Sequence, residues 1–339
     1  MFKNLLSKVF GKAVEIRNKQ YDDKQEITKC KIPVISVGNL SVGGTGKTPF
    51  VAMLSKYLQS RKKLPGIIGK GYKRQSKGDI VVCDGKNILV DADTAGDEML
   101  LLANALNVPV MAVDEKWRGA LDIQDKFELD CIIVDDGFQH RQLHRDLDIV
   151  MIDKETIENP ELMPKGRLRE PLSSLQRADI IVLAGNIPID EKIKPYIDET
   201  TIVIRVKPLQ TNPYLLQTKQ ILKINEVKNV QKGVIAFAGI AKPLRFFDLV
   251  ANSGYTMIDK ISYDDHHNYT HTDLEKIKEI CLKNQCFNLA TTEKDAAKLL
   301  KYRDYFENNK INCYVFPITL QITDGKENFF RAVNNLFKK

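Results

Sequence analysis

The sequence predicts an α/β protein with two domains and a mostly parallel sheet in its first half. The chain has 339 residues, which is about twice the length of a typical single domain. Short apolar runs alternate with helical patterns along both halves, as in sheets that are covered by helices on both faces. A glycine-rich loop follows the first of these runs and precedes a helix, a connection that suits phosphate binding.

Composition and charge exclude several classes of protein. With 43% hydrophobic and 28% charged residues, the chain is globular and neither collagen-like nor disordered. The net charge of +7 is compatible with nucleic acid, an anionic membrane surface or phosphorylated substrates as partners. The six cysteines are dispersed without a CxxC pair, which predicts buried free thiols in a reducing cytosol. No apolar run reaches the ~20 residues of a membrane span.

The N-terminus, residues 1–20, predicts a basic amphipathic helix. Lysines and Arg17 lie mostly on the flanks and the opposite side of an apolar stripe, the pattern of a helix in a membrane interface. The alternative, an ordinary helix packed on its own domain, is slightly favoured by the pattern alone, because most amphipathic helices face a core. The stripe consists of Phe2, Leu5, Leu6, Val9, Phe10, Ala13 and Ile16.

Residues 21–153 predict the first α/β domain, whose apolar runs are continuous and therefore indicate a sheet buried on both faces. Strands are predicted at 32–37, 66–68, 109–113, 131–134 and 149–152, a hairpin at 80–90, and helices at 48–60, 97–105 and 115–126.

Residues 154–325 predict a second α/β domain, and 326–339 a C-terminal helix that can pack on either domain. The segment 154–178 is irregular and rich in Pro, Arg and Glu, which indicates an interdomain connection that can itself line a site. Further strands are predicted at 180–183, 202–206, 234–237 and 289–290, and helices at 244–251, 273–283 and 328–337.

The strongest motif is a phosphate-binding loop between the first strand and its helix. Its glycines let backbone N–H groups converge on phosphates, its lysine reaches the β- and γ-phosphates, and its threonine hydroxyl binds Mg²⁺. Serine replaces the first glycine of the usual pattern. The loop reads Ser41-Val42-Gly43-Gly44-Thr45-Gly46-Lys47-Thr48. The alternative, a glycine-rich turn with an incidental Gly-Lys-Thr, lacks support from this strand-loop-helix context.

Two carboxylates follow the apolar run at 131–134. Asp135 and Asp136 lie at the carboxyl end of a predicted strand, where ligands of open α/β sheets bind, and either can reach Mg²⁺. No guanine-recognition string of the Asn-Lys-x-Asp type occurs, which argues against a GTPase. An ATP-driven transferase or ligase remains.

Transfer to a hydroxyl needs a group that takes its proton and cations that stabilise phosphate charge. Asp97 and Glu98 are candidate carboxylates, although for an isolated Gly-Asp-Glu helix capping is favoured over catalysis. Candidate imidazoles lie within 265–271, where a solvated turn is the alternative. Arg118, Arg167 and Arg169 are candidate cations, each as plausible as a surface charge.

Read together, these strings resemble the tetraacyldisaccharide 4′-kinase family, the lipid A kinases of Gram-negative bacteria. The loop within Gly38 to Pro49 is one of them, and its serine is shared by that family. The others, in order, are Gly71-Tyr72, Gly96-Asp97-Glu98, Asp135-Asp136-Gly137-Phe138-Gln139-His140, Gly166-Arg167-Leu168-Arg169-Glu170-Pro171, Ala238-Gly239-Ile240-Ala241 followed by Pro243, and Thr292-Glu293-Lys294-Asp295-Ala296.

The resemblance implies two α/β/α sandwich domains, the first of P-loop NTPase type, joined by a short β linker with the catalytic cleft between them. It implies transfer of the γ-phosphate of ATP to the 4′-hydroxyl of tetraacyldisaccharide 1-phosphate at the cytoplasmic face of the inner membrane. By the same resemblance, Asp97 and His266 form the catalytic dyad. Phosphate and metal contacts are implied for Lys47, Thr48, Asp135, Asp136, Glu170, Arg118 and Arg169.

Two alternatives remain open on residues alone. A soluble small-molecule P-loop kinase or ligase would keep the loop and the Asp135-Asp136 pair, but it needs no basic amphipathic N-terminus. A regulatory nucleotide switch needs no acceptor and no histidine from the second domain. We expect the charge excess to serve an anionic membrane surface and phosphate ligands. No motif supports nucleic acid, and no obligate protein partner is implied.

Overall fold

The computed structural model describes residues 2–23, 27–72, 74–189, 191–222 and 233–338. They fall into two compact units. The first comprises Met1–Pro208 with Leu320–Lys339, and the second comprises Leu209–Thr319. The chain therefore leaves the first unit once and returns to it once.

The strands that the structure describes are, in chain order, β1 (Val34–Asn39), β2 (Pro65–Gly69), β3 (Ile80–Asp84), β4 (Pro109–Ala112), β5 (Cys131–Asp135), β6 (Leu147–Asp153), β7 (Ile180–Ala184), β8 (Ile202–Gln210), β9 (Tyr214–Leu215), β10 (Val234–Ala238), β11 (Met257–Ser262), β12 (Asn288–Thr292), β13 (Asn312–Phe316) and β14 (Ile318–Asp324).

The described α-helices are α1 (Phe2–Asp22), α2 (Lys47–Ser60), α3 (Ala92–Ala95), α4 (Asp97–Ala105), α5 (Lys116–Lys126), α6 (Lys154–Glu158), α7 (Pro243–Asn252), α8 (His271–Asn284), α9 (Glu293–Leu299), α10 (Arg303–Asn308) and α11 (Lys326–Asn335). Short 3₁₀ helices span Leu172–Arg177, Lys194–Tyr196 and Leu300–Tyr302.

The first unit is built on a nine-stranded sheet in the order β14-β8-β7-β6-β1-β5-β2-β4-β3. The strands from β8 to β4 run parallel, and only the β3–β4 pair at that edge is antiparallel. Every residue of β1, β2 and β5 is buried, because helices cover both faces of a parallel sheet. Since Val37 of β1 pairs with Asp135 of β5, the loop after β1 and the Asp135-Asp136 pair emerge at the same edge.

The structure places the domain boundary later than predicted. The strands β7 and β8, which were assigned to the second domain, continue the first sheet: Ile180 pairs with Ile149 of β6, and Ile202 with Ile180. Strands that are apolar on both faces belong in the interior of a parallel sheet, and β6 provides the edge with which β7 pairs. The segment 154–178 is therefore part of the first unit and does not connect two domains.

Two further elements differ from the sequence prediction. The predicted hairpin at 80–90 is a single strand, β3, whose return is reduced to a bridge between Cys83 and Ile88. β3 pairs with β4 instead. The C-terminal helix α11 belongs to the first unit, where Phe329 and Phe330 pack against Phe50 and Tyr57 of α2.

The second unit is built on a five-stranded sheet in the order β11-β10-β12-β13-β9. Its strands are parallel except for β9, which pairs antiparallel with β13. One face is buried by α8, α9 and α10 through an apolar cluster that includes Phe237, Ile277 and Phe306. This second α/β unit and the parallel first sheet confirm the predicted fold class.

The first helix, α1, packs on the first unit through one face and leaves another face exposed. Ser7 and Val14 are buried, and the Ser7 hydroxyl donates to the Leu162 carbonyl at 2.8 Å. By contrast, Leu5 and Val9 are each 61% exposed, although they are large and apolar. The side chain of Phe2 lies outside the described part of the structure. The predicted apolar stripe is thus turned away from the unit on which the helix packs.

Candidate active site

The glycine-rich loop sits at the carboxyl edge of the first sheet, between β1 and α2. Gly46 caps α2 with a φ of 91°, a left-handed conformation that favours glycine, and makes no side-chain cap. The first N–H groups of a helix have no partner within it, so they point into the loop. Phosphate oxygens are suitable acceptors for such groups. Gly43 and Gly44 are exposed at the rim of the loop.

Neighbouring segments hold the loop in place. The Ser41 hydroxyl is buried and lies 3.2 Å from the Thr156 hydroxyl. The Val42 N–H donates to the Arg167 carbonyl at 2.8 Å, and Arg167 Nε donates back to the Val42 carbonyl at 2.9 Å. The buried Thr45 hydroxyl accepts from Asn39 Nδ2 at 2.9 Å. The loop is thereby shaped by side chains as well as by its glycines.

Asp136 is surrounded by cations. Lys47 Nζ lies 3.3 Å from Asp136 Oδ1, and Arg169 donates to both carboxylate oxygens at 2.8 Å. Lys116, which is buried, donates to the Asp136 carbonyl at 2.5 Å. Burial opposes ionisation, but the Arg169 hydrogen bonds and the Lys47 charge outweigh it and hold the pKa of Asp136 far below its usual range.

Asp135 has the opposite electrostatics, although it is the adjacent residue. Burial and, to a smaller extent, the charge of Glu98 raise the pKa of Asp135 to about 7. Its Oδ1 is buried and has no hydrogen-bond partner among the described residues. A buried carboxylate oxygen without a donor is a ligand that a hard cation such as Mg²⁺ would satisfy. Asp135 and the Thr48 hydroxyl thus have the chemistry of a magnesium site.

Three residues of this cluster, Asn39, Lys116 and Gln139, were not among the site residues predicted from the sequence. Asn39 Oδ1 accepts from Lys47 at 3.2 Å and also from Arg169, while the Asn39 carbonyl accepts from Gln139 at 3.0 Å. Burial lowers the pKa of Lys116 to about 8, against the attraction of Asp136. The signal for Lys116 was its position shortly after the apolar run of β4, at the carboxyl edge of the sheet.

Two residues predicted to contact phosphate or metal, Arg118 and Glu170, are paired with other side chains of the first unit. Arg118 is paired with Asp79, with Nε 3.0 Å from Oδ2, and its side chain is 46% exposed. Glu170 is completely buried and accepts from Asn18, Ser174 and Arg177 at 2.9–3.0 Å. Its carboxylate therefore binds α1 and the 3₁₀ helix Leu172–Arg177, even though it follows Arg169 directly.

Asp97 begins α4, next to a close contact between two glycines. Gly96 has a φ of 78°, and a Cβ there would lie 2.6 Å from the backbone of Gly71. Only glycine allows the two loops to approach this closely. The Asp97 side chain is buried at this point of the first unit.

His266 lies at the carboxyl edge of the second sheet, in the loop after β11. Its backbone has a φ of 67°, and its N–H donates to the Gly239 carbonyl at 3.1 Å. Lys294, at the start of α9, lies 3.1 Å from His266 Nε2. The neighbouring His267 contacts Asp273 at 3.1 Å and stacks on Tyr263, so it is part of the packing of this unit.

Comparison with known proteins identifies the family. A family model described as tetraacyldisaccharide-1-P 4′-kinase, LpxK, matches residues 2–338. The chain belongs to the tetraacyldisaccharide 4′-kinase family. This confirms the resemblance that the sequence motifs predicted.

Individual relatives of the tetraacyldisaccharide 4′-kinase family match over nearly the whole chain. The tetraacyldisaccharide 4′-kinase of Halothermothrix orenii is 35% identical, over 94% of this chain and 88% of that protein. That of Aquifex aeolicus is 36% identical, over 89% of this chain and 91% of that protein. The crystal structure of LpxK from Aquifex aeolicus in complex with ATP superposes with a TM-score of 0.78 at 32% identity, covering 98% of each chain.

Proposed function

We propose that this protein is an ATP-dependent kinase that phosphorylates the 4′-hydroxyl of tetraacyldisaccharide 1-phosphate in lipid A biosynthesis. The observation that carries the proposal is the phosphate-binding loop beside the Asp135-Asp136 pair, in a chain that matches the kinase family from residue 2 to 338. The product is the disaccharide with phosphates at both ends, lipid IVA.

The first unit supplies the groups that bind ATP. The backbone of the loop Ser41 to Gly46 and the N-terminus of α2 bind the triphosphate, while Lys47 and Arg169 stabilise the charge of the transferring group. Lys47 and Arg169 meet at Asp136, and their positive charges suit a polyanionic ligand. Thr48 and Asp135 would hold Mg²⁺, which would supply positive charge to neutralise the phosphates.

On the basis of family membership, we propose that the Asp97–His266 dyad removes the proton from the acceptor hydroxyl. The acceptor oxygen forms a bond to the γ-phosphorus while the bond from phosphorus to the β–γ bridging oxygen breaks, and ADP leaves. The hydroxyl proton passes to the carboxylate of Asp97, the base of the Asp97–His266 dyad, as the new bond forms. Asp97 belongs to the first unit and His266 to the second.

The remaining predicted residues differ in the roles that we propose for them. Arg169 is retained as a phosphate-stabilising cation, because its guanidinium reaches Asp136 and Asn39 at the loop. Arg118 would have to leave Asp79 in order to contact a phosphate. The Glu170 carboxylate joins α1 to the 3₁₀ helix Leu172–Arg177 and so supports the structure around the site. We do not assign Glu170 to the metal.

We further propose that α1 binds the anionic surface of the inner membrane on its cytoplasmic side. Leu5, Val9 and Ile16 are all more than half exposed along one face of this helix. Apolar residues on an exposed helical face, flanked by lysines, suit the boundary between headgroups and acyl chains. No helix within the described ranges is long and apolar enough to cross a membrane.

The alternative is a soluble P-loop kinase or ligase that acts on a small molecule. It shares the loop, the carboxylate pair and Arg169 with the proposed lipid kinase. It provides no reason for a row of exposed leucine, valine and isoleucine side chains on α1, which favours a lipid acceptor.

The test is transfer of labelled γ-phosphate from ATP to tetraacyldisaccharide 1-phosphate in detergent micelles. We expect the wild-type protein to label the lipid and Lys47→Ala to reduce the rate by at least ~100-fold, because a main cation of the site is removed. Lys56→Ala, at an exposed lysine of the same helix, is the matched control and should be unaffected. Absence of labelled lipid with the wild-type protein, or equal rates for Lys47→Ala, would refute the assignment.

A further inference from the structure

Three strands of the second unit end side by side, and the chain segments that follow them converge. β10 lies between β11 and β12, and all three run parallel. Gly239 follows β10, Asp265 and His266 follow β11, and Lys294 follows β12. In open α/β sheets the carboxyl edge is where ligands and reacting groups are placed.

Lys294 holds the His266 ring from one side. Its Nζ lies 3.1 Å from His266 Nε2 and 3.2 Å from Asp265 Oδ1. The side chains of Lys294 and His266 are only 22% and 11% exposed. The lysine therefore bridges a carboxylate and the imidazole in a largely enclosed position.

The backbone around both residues is fixed as well. The His266 N–H is bound to the Gly239 carbonyl at 3.1 Å. The Gly239 N–H donates in turn to Asp295, which is fully buried in the first turn of α9. Asp295 also accepts from the Thr292 hydroxyl at 2.7 Å. The turn that carries Lys294 is thus tied to the strand end that holds His266.

This contact favours one of the two neutral tautomers of the ring. An ammonium group has donors but no acceptor, so Lys294 can only donate to Nε2. A neutral imidazole carries one proton, and a nitrogen that accepts a hydrogen bond has none. With Nε2 as acceptor, the proton lies on Nδ1, and the ring presents an Nδ1–H donor.

We propose that Lys294 is a positioning residue of the phosphate transfer, which sets the tautomer and the orientation of His266. The proposal rests on the proposed function, because it assumes that His266 serves the acceptor hydroxyl. Asp265 keeps the lysine in place through its contact with Nζ. In this role Lys294 acts on the reaction through the imidazole alone.

The experiment compares three variants with the full-length wild-type protein. Lys294→Met removes the donor, and Lys294→Gln keeps an N–H donor without the charge. Lys278→Met, at a partly exposed lysine of α8 paired with Glu275, is the matched control. We expect Lys294→Met to lower kcat about 10- to 100-fold, the usual effect of losing a partner that orients a functional histidine. The KM values for ATP and lipid should stay within about twofold.

A spectroscopic measurement separates positioning from a general loss of structure. In ¹⁵N spectra of labelled histidines, the signal that disappears in His266→Asn belongs to His266. We expect the wild type to show a protonated Nδ1 and an unprotonated Nε2, Lys294→Met to lose that pattern, and Lys294→Gln to recover it together with most of kcat.

Two other outcomes would overturn the proposal. An unchanged kcat with an unchanged ¹⁵N pattern in Lys294→Met overturns it. A raised KM for ATP at constant kcat also overturns it, since Lys294 would then bind the nucleotide. Failure of the proposed function appears differently, as a wild-type protein that does not phosphorylate the lipid although His266 shows the protonated Nδ1.

Discussion

Glu170 illustrates how a single buried residue can serve the architecture around a site. Its carboxylate is fully buried and accepts from Asn18 of α1 and from Arg177. Burial opposes its ionisation, but the charge of Arg177 and the hydrogen bond from Asn18 keep the pKa of Glu170 below its usual value. A buried anion of this kind stabilises the fold only while its partners are in place.

We expect Glu170→Gln to destabilise the protein by about 2–3 kcal/mol, below the ~3–5 kcal/mol of a fully buried pair. The reduction reflects Arg177, whose side chain is 21% exposed. Denaturant unfolding measures the change. Glu161→Gln is the control, because Glu161 pairs with Lys165 at the surface and should cost less than ~1 kcal/mol. Equal destabilisation by both variants would contradict the role assigned to Glu170.

The pH dependence follows from the same shift. A carboxylate with a lowered pKa stabilises the fold fully above the unfolded-state value of 4.5, and this contribution is lost as pH falls through the lower folded-state pKa. The difference in stability between wild type and Glu170→Gln should therefore be constant above about pH 5.5 and shrink in acid.

At the scale of elements, α1 shows that a helical pattern alone does not say which face packs. The sequence correctly predicted one amphipathic helix, but left open whether its apolar stripe faced the protein. In the structure the packed face is formed by small and polar residues, with Ser7, Val14 and Asn18 toward the first unit. The apolar stripe remains exposed, because the buried polar groups of the unit pair with the other face of the helix.

Substitution of Leu5, Val9 and Ile16 by serine should weaken binding to anionic vesicles at least ~10-fold, since each buried apolar side chain contributes about 1.5–3 kcal/mol. The fold should be retained, because these side chains are exposed. Co-sedimentation with vesicles containing anionic phospholipid measures the effect. Leu244→Ser with Leu282→Ser, at exposed apolar sites of the second unit, should leave binding unchanged. Equal binding by all variants would mean that α1 does not contact the membrane.

At the scale of the whole molecule, the second unit is an insertion into the chain of the first. The chain leaves the first sheet through β8 and returns through β14, which is the neighbour of β8 in that sheet. Asp97 and His266 therefore come from two different compact units of one chain. A reaction that uses both residues requires both units.

We expect Asp97→Ala, His266→Ala and the double variant to lower kcat by similar factors, because residues that act as one unit give non-additive losses. Single-turnover phosphorylation of the lipid measures the three rates. Unfolding curves of the three variants control for loss of structure. If the double variant loses the product of the two single factors, the residues act independently and the dyad is wrong.

Much of the site could be predicted from the sequence, because its motifs are local. The loop Ser41 to Thr48 and the Asp135-Asp136 pair are contiguous strings, and their positions after apolar strands follow from the alternation of strands and helices. Lys116 and Asn39 were missed, since they join the site through the order of strands in the sheet. The ion pair of Arg118 was missed for a similar reason, since its partner, Asp79, is distant in sequence.

The sequence by itself determined the family, the glycine-rich strand-loop-helix and the α/β class, because each depends on residues that are neighbours in the chain. Only the tertiary structure decided that β7 and β8 extend the first sheet, that Glu170 binds α1, and that Lys294 meets His266. These contacts join strand edges and buried charged groups that are far apart in the sequence. Burial makes such pairings selective, since an unpaired edge or charge inside the protein is costly.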